Sequence, residues 1–270
     1  MQYEEIGYYK KRLKGLLSVL VSYWTVLITF SIVSVIVGQA DFMPGSFKKF
    51  IMNFLTLDKS YNGAWWYMFA YAFLVIISPL LLKCVQKFNP TIVLSFGFFI
   101  YCTAYYIRFK LGDSNWILGK FGPLGMTLFE YLLGAECCKF KVFTKIYNLW
   151  IKTPKYIRCV ISVSTIIAML YARTSLVPSL FVAPITGFVL ITLFHFWHKP
   201  KIVQSIFLTV GKHSTNLWLT HMFFHSVLFV NFVYIAKYPL LIFAFMLAIT
   251  LCVSFGLNII EKPLKELILK

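Results

Sequence analysis

The segment at residues 64–82, "AWWYMFAYAFLVIISPLLL", contains no charged side chain. A helix needs about 20 predominantly apolar residues to cross the hydrocarbon core of a bilayer, and this segment has that length. Trp65 and Trp66 stand at its beginning, where indole rings favour the headgroup region. The segment therefore predicts a membrane-spanning helix, and it favours an all-α fold for the chain.

The composition of the whole chain agrees with this interpretation. Of its 270 residues, 60% are hydrophobic and 13% are charged, whereas about a quarter of a soluble domain is charged. The net charge of +17 would favour nucleic-acid binding in a soluble protein. In a membrane protein, Lys and Arg collect in the cytoplasmic loops. We therefore predict a polytopic transmembrane helix bundle with membrane lipids as partners and no nucleic-acid partner.

Seven other segments resemble residues 64–82 in apolar character. The eight predicted spans are 15–38, 64–82, 91–107, 121–138, 157–172, 175–197, 216–236 and 239–260. With the N-terminus in the cytoplasm, 18 of the 26 Lys and Arg residues fall in inner segments and 8 in outer ones. This distribution predicts that both termini are cytoplasmic. No repeat or linker divides the chain, so we expect one integral-membrane domain over residues 1–270.

One predicted outer loop has a helical pattern of its own. In residues 46–60, "SFKKFIMNFLTLDKS", the apolar side chains recur at the spacing of one helix face. Ser46 is suited to cap such a helix. The segment is too short and too polar to span a bilayer, so it predicts an interfacial amphipathic helix on the outer face.

Two histidines in the predicted span 216–236 are the first candidates for chemistry. With a helix capped by Ser214 or Thr215, His221 would lie about 8 Å from the cytoplasmic end. His225 follows one turn later on the same face. Two interpretations stay open for each imidazole, namely a hydrogen bond to a neighbouring helix or a functional role. Such a pair can bind a metal ion, but no third ligand accompanies it, and we predict no metal site.

Several other ionisable residues lie in or near the predicted spans. Glu130 falls close to mid-membrane, where a carboxyl group must be neutral, paired or in contact with a water-filled cavity. We predict a functional role for it. Further polar residues are predicted on the cytoplasmic leaflet, where interfacial charge is also an ordinary explanation: Arg12, Glu136, His195, His198, His213, Ser214 and Glu261.

Four segments, in order, resemble motifs of the membrane acyltransferase-3 family. "VGKHSTNLWLTH" (210–221) resembles its late Gly-x-x-Ser and aromatic-Leu-x-His motif, and "NIIEKPLK" (258–265) its closing Glu-x-Pro. "YYKKRLKGLL" (8–17) is similar to the basic segment after the family's second span, and "AWWYMFAYAFLVIISPLL" (64–81) to a Trp-initiated, Pro-terminated span. Together they extend from residue 8 to residue 265, in the order that the family has them.

The resemblance implies an enzyme of a bacterial plasma membrane that acylates sugars. The family transfers an acyl group, usually acetyl, from cytosolic acetyl-CoA to a sugar hydroxyl of a surface polysaccharide or lipid-linked glycan. It implies acetyl-CoA as acyl donor and no permanently bound cofactor. His221 corresponds to the late motif's histidine and is the first candidate for a supporting catalytic role, with Glu130 next. CoA phosphates, or alternatively anionic lipid headgroups, are expected at Lys10, Lys11, Arg12 and Lys14.

The chain also departs from the family pattern. The family has about ten spans against the eight predicted here from bilayer thickness. The two that are lacking would carry the family's primary catalytic histidine and a preceding arginine. Gly15 and Ser18 stand where the family has an arginine and a proline. The alternatives are therefore an inactive fragment, a membrane partner subunit, or a glycolipid transporter or flippase.

Overall fold

A computed structural model describes residues 5–111, 115–175, 179–197 and 199–269. In these residues all regular secondary structure is helical, which confirms the predicted all-α class. The α-helices are α1 (Glu5–Ile36), α2 (Phe47–Phe54), α3 (Trp66–Lys87), α4 (Pro90–Tyr106), α5 (Trp116–Lys139), α6 (Val142–Trp150), α7 (Lys155–Ser175), α8 (Ser179–Phe196), α9 (Lys201–Met222), α10 (Val230–Tyr234) and α11 (Pro239–Ile268). A 3-10 turn at Gly63–Trp65 precedes α3, and π-helical segments occupy Ile107–Leu111 and Phe223–Val227.

Five helices among the described residues are long and apolar enough to cross a membrane. They are Tyr9–Ile36, Gly63–Lys87, Pro90–Leu111, Lys155–Ala172 and Pro239–Ile268. These correspond to the first, second, third, fifth and eighth predicted spans. The fourth and sixth predicted spans correspond to α5 and α8. The protein is therefore an integral membrane helix bundle.

The seventh predicted span differs from the structure. Residues 216–236 are not one helix, because α9 begins at Lys201 and is followed by a π-helical segment, a break and α10. Ser214 and Thr215 lie inside α9, so the prediction that either residue caps a helix there is wrong. The helix continues through Gly211, since a glycine costs a helix only about 1 kcal/mol relative to alanine. Packing of α9 against α11 outweighs a cost of that size.

Helix α2 confirms the predicted amphipathic helix and its cap. The hydroxyl of Ser46 accepts a hydrogen bond from the Lys49 backbone N–H at 3.3 Å. The C-terminal end of α2 packs on α1, where the Tyr23 hydroxyl donates to the Asn53 carbonyl at 2.5 Å and the Trp24 indole donates to the Phe54 carbonyl at 2.9 Å. These donors lie near the middle of α1. The loop between α1 and α3 therefore folds back along α1 instead of staying beside its end.

The described residues group into two compact units. The first comprises the chain up to Ile77 and from Pro200 onward, and its core packs α1, α9 and α11 with the beginning of α3. Phe30 of α1 stacks on Phe223 with ring centroids 4.1 Å apart. Tyr23 meets Trp65 edge to face at 4.7 Å. The predicted single domain over 1–270 stays a prediction.

The second unit, Ser78–Lys199, is built around the close packing of α4 against α5. A Cβ atom added at Gly125 would lie 2.6 Å from the Ala104 Cβ and 3.2 Å from the Ile100 Cγ2. The absence of a side chain at this position lets the two helices approach each other. Small residues perform the same role at many helix contacts in membranes.

Gly125→Ala should destabilise the second unit by about 1–3 kcal/mol, because the added methyl group overfills the contact between α4 and α5. Gly134→Ala is the matched control, since its added Cβ would meet nothing within 4 Å on the same helix. The measurement is the thermal unfolding midpoint of both variants in the same detergent. Equal midpoints would contradict the close packing described for α4 and α5.

Candidate functional site

The regular hydrogen-bond pattern of α9 ends at Met222. The backbone N–H of Phe223 is directed to the carbonyls of Thr220 and His221. The N–H of Leu228 then bonds to the Phe223 carbonyl at 2.9 Å, which is the i to i−5 pattern of a π-helix. Short π-helical segments of this kind occur often at functional sites. A consequence is that Phe223 does not donate to the Leu219 carbonyl, as it would in a continuous α-helix.

Two side chains from the 3-10 turn that precedes α3 and from its capping residue donate to that carbonyl instead. The Asn62 Nδ2 atom lies 2.9 Å and the Trp65 Nε1 atom 3.1 Å from the Leu219 oxygen. All three residues are at most 1% exposed. The Asn62 Oδ1 atom accepts from the Ala64 backbone N–H at 2.9 Å, so the orientation of the amide is fixed at both ends. The carbonyl that the helix leaves unpaired is therefore fully satisfied.

His221 lies two residues after Leu219 and is half-buried. Its Nδ1 atom is 2.7 Å from the Trp218 carbonyl oxygen. Because a carbonyl oxygen only accepts hydrogen bonds, Nδ1 carries the proton in this contact. In the neutral ring the lone pair is then on Nε2. The backbone thus fixes His221 in the tautomer whose Nε2 atom can accept a proton.

The predicted beginning of the helix that carries His221 is wrong. Since α9 begins at Lys201, His221 lies about 30 Å along the helix and not about 8 Å from its beginning. The stacking of the nearby Phe223 on Phe30 places this part of α9 beside α1, about 9 Å before the end of α1 at Ile36. A membrane histidine at this level needs polar partners, and the Trp218 carbonyl supplies one.

His225 is exposed and belongs to the π-helical segment. Its Nδ1 atom contacts the Ser226 hydroxyl. His221 belongs to the last turn of α9, and His225 belongs to the π-helical segment that follows it. Within the described ranges of the chain, no group of three His, Cys, Asp or Glu side chains is placed to hold a metal ion.

The predicted phosphate-binding residues, Lys10, Lys11, Arg12 and Lys14, are all exposed on the first part of α1. The Lys14 ammonium donates to the Leu269 carbonyl at 2.9 Å, so the beginning of α1 and the end of α11 meet at one end of the first unit. The level of Phe30 is about 24 Å farther along α1. The structure therefore does not bring these cations into contact with His221.

The Glu261 carboxylate forms a buried polar cluster between α1 and α11. It is 1% exposed, and its Oε2 atom lies 2.7 Å from the Ser22 hydroxyl and 2.6 Å from the Lys265 ammonium. The Lys265 ammonium also donates to the Ser22 hydroxyl at 2.6 Å. The Glu261 Oε1 atom is buried without a hydrogen-bond partner among the described residues. Ser22 and Lys265 are partners that the sequence did not single out.

His213 lies inside α9 and is buried against α11. Its Nδ1 atom lies 2.8 Å from the Ser254 hydroxyl and 3.2 Å from the Asn258 amide nitrogen. The Asn216 amide donates to the Asn258 oxygen at 3.3 Å, which directs the Asn258 NH₂ group towards His213. Nδ1 is therefore the acceptor nitrogen, the opposite of His221. This arrangement fits a histidine that links two helices.

The remaining candidates lie in the second unit. Glu130 is exposed on α5, and its functional role stays a prediction. Glu136 is 3% exposed, and its Oε2 atom is 3.8 Å from the Lys139 ammonium. His195 lies in α8, while His198 lies outside the described residues. That Glu136, His195 and His198 share a leaflet with Arg12, His213 and Glu261 stays a prediction as well.

Sequence reasoning missed Asn62 and the hydrogen bond made by Trp65. The Trp65 side chain is 1% exposed within the protein core. The partner of both residues is a backbone carbonyl more than 150 positions away, which no local pattern reveals. The available signal was the polar Asn62 directly before an apolar span.

Comparison of the chain with known proteins identifies its family. No curated protein sequence and no solved structure matches the chain. A family model described as an acyltransferase domain matches residues 2–259, which is nearly the whole chain and includes α9 and the His221 region. The chain therefore belongs to the acyltransferase-3 family of membrane acyltransferases, as its ordered motifs predicted.

Proposed function

We propose that the protein is a membrane O-acyltransferase. It moves an acyl group, in the simplest case acetyl, from cytosolic acyl-CoA to a sugar hydroxyl of a cell-surface polysaccharide or lipid-linked glycan. The observation that carries this proposal is His221. In a chain of an acyltransferase family, a backbone carbonyl holds this imidazole with Nε2 as the proton-accepting nitrogen, next to a π-helical segment.

The chemistry requires an acceptor for the hydroxyl proton. A sugar hydroxyl is a poor nucleophile until a base takes its proton, and imidazole performs this role at neutral pH. We assign the proton-accepting role itself to His221, which goes beyond the supporting role that the family resemblance implies. As the sugar oxygen attacks the thioester carbonyl, the proton passes to Nε2 of His221. When the carbon–sulfur bond breaks, the proton returns to the leaving CoA sulfur. The products are the sugar ester and free CoA, and His221 ends in its starting tautomer.

The donor phosphates belong at the beginning of α1 in this proposal. Arginine binds a phosphate with two parallel hydrogen bonds, and lysine adds positive charge. Lys10, Lys11, Arg12 and Lys14 are exposed together there. The long pantetheine arm of CoA would then extend along α1 towards His221. This arrangement lets the charged part of the donor stay in water while the thioester enters the bundle.

The triple variant Lys10→Gln, Lys11→Gln and Lys14→Gln should raise the KM for acetyl-CoA about tenfold and leave kcat within twofold, because these contacts form equally in the ground and transition states. The control variant replaces three other exposed lysines with glutamine and so loses the same amount of positive charge. These are Lys48, Lys110 and Lys237. The control variant should retain the wild-type KM. Equal KM values for the two triple variants would contradict the assignment of CoA phosphates to α1.

The proposal is tested by direct transfer. The purified full chain, in detergent with added lipid, receives radiolabelled acetyl-CoA and a lipid-linked sugar acceptor. We expect label in the sugar lipid and release of free CoA in equal amounts. Binding of acetyl-CoA without label in the acceptor would favour the inactive-fragment or partner-subunit alternative. Absence of acetyl-CoA binding would contradict the acyltransferase proposal.

A further inference from the structure

We propose that Asn62 and Trp65 are positioning residues for His221, acting through the backbone carbonyl of Leu219. This inference rests on the proposed function, because it concerns the group assigned there as proton acceptor. Neither side chain touches the imidazole. Each donates a hydrogen bond to the same buried oxygen two residues before it.

The carbonyl of Leu219 would not need these donors in an ordinary helix. There it would accept the N–H of Phe223, four residues later. In the structure that N–H is directed elsewhere, and a buried carbonyl without a donor is strongly disfavoured. The two side-chain donors therefore stabilise the departure from the α-helical pattern. Without these donors, the smallest rearrangement that satisfies the Leu219 carbonyl restores its hydrogen bond from the Phe223 backbone N–H.

Restoring that bond would move His221. The rearranged turn comprises residues 219–223, and His221 is at its centre. The ring is also tied to the carbonyl of Trp218, which belongs to the peptide group on the other side of Leu219. The two consecutive carbonyls, at Trp218 and Leu219, thus have linked orientations. Asn62 and Trp65 fix one of them and thereby fix the direction of the imidazole.

A purely structural role predicts something different. If the two donors only connected the beginning of α3 to α9, their loss would lower the amount or stability of the folded protein. His221 in the remaining folded molecules would keep its environment. A measurement on the imidazole itself therefore separates the two roles, and it does not depend on enzyme activity.

Trp65→Phe is the appropriate variant. Phenylalanine keeps an aromatic ring for the contacts with Tyr23 and Phe223, at centroid distances of 4.7 and 5.6 Å, and removes only the indole donor. Trp24→Phe is the matched control. It removes the same type of bond, from an indole to the Phe54 carbonyl at 2.9 Å, within the same unit but away from α9.

The probe is diethyl pyrocarbonate, which acylates an unprotonated imidazole nitrogen. Rates at His221 and His225 are followed by peptide mass spectrometry on the full chain in detergent. We expect Trp65→Phe to raise the rate at His221 at least threefold and to leave the rate at His225 unchanged. Trp24→Phe should alter neither rate. Asn62→Ser, which keeps a capping oxygen for Ala64 but is too short to reach Leu219, should reproduce the change if Trp65→Phe does not fold.

A wild-type rate at His221 in a folded Trp65→Phe or Asn62→Ser protein would overturn the positioning role. That result would leave the proposed function intact, since the function depends on acyl transfer by the wild-type chain. Conversely, an altered rate at His221 in Trp65→Phe, together with no acyl transfer by the wild-type chain, would support the positioning role and contradict the proposed function. An equal increase in Trp24→Phe would also overturn the proposal.

Discussion

His221→Gln should lower kcat for acyl transfer by at least about 100-fold, which is the usual contribution of a general base. Glutamine retains a polar side chain of similar length but has no nitrogen that accepts a proton at neutral pH. The KM for acetyl-CoA should stay within about threefold, because the phosphates of the donor are assigned to the far end of α1. The measurement is the initial rate of label transfer at saturating acceptor.

His225→Gln is the control for this variant. The two histidines are four residues apart, but His225 is exposed and has no contact with the Trp218 carbonyl. Its replacement should leave kcat within twofold of the wild-type value. If both variants retain wild-type rates, or if both lose activity to the same degree, then the assignment of His221 as the proton acceptor is wrong.

Lys265→Met should destabilise the first unit by about 3 kcal/mol, since removing one partner of a buried ion pair leaves an uncompensated charge. Glu261 is 1% exposed, and without Lys265 its carboxylate retains the Ser22 hydroxyl as its one hydrogen-bond partner among the described residues. The double variant Glu261→Gln with Lys265→Met removes both charges. It should recover most of the lost stability, because an ion pair and its neutral replacement often differ little.

The measurement is the free energy of unfolding in a mild denaturing detergent titration, with Lys262→Met as control. Lys262 neighbours Glu261 in the sequence but is exposed. Its replacement should cost less than about 0.5 kcal/mol, which is typical of a surface substitution. Equal effects of Lys262→Met and Lys265→Met would contradict the buried pair.

Local sequence patterns predicted most of the helices. The uncharged segment at residues 64–82 became most of α3, and the apolar spacing after Ser46 became α2 with its hydroxyl cap. Both depend on interactions within a few residues, namely side-chain periodicity and capping. The ordered motifs also identified the family.

Such local patterns could not predict the path of α9 after Gly211 or the π-helical segment that follows it. Gly211 and the polar residues after it resemble a loop, yet α9 continues through them because His213 and Asn216 find partners on α11. The Leu219 carbonyl, just before the π-helical segment, accepts hydrogen bonds from Asn62 and Trp65, which lie more than 150 residues earlier. Tertiary contacts of this range override local propensity.

The sequence singled out His221 as a polar residue in an apolar segment, and its catalytic role stays a prediction. The beginning of the helix that carries it was misplaced, because α9 begins at Lys201. The partner of its imidazole is a backbone carbonyl, which every residue has. The sequence therefore could not predict the tautomer on which the proposed chemistry depends.

The most direct measurement uses sealed vesicles that contain the full chain in one known orientation. Trypsin cleavage at Lys10, Lys11, Arg12 and Lys14 reports which side the beginning of α1 faces. Radiolabelled acetyl-CoA is then supplied on one side only, with a lipid-linked sugar in the membrane. We predict label in the sugar lipid only when the donor is on the side where trypsin cleaves these residues. Transfer from the opposite side, or no transfer from either side, would contradict a protein that carries acyl groups from cytosolic acyl-CoA to a glycan.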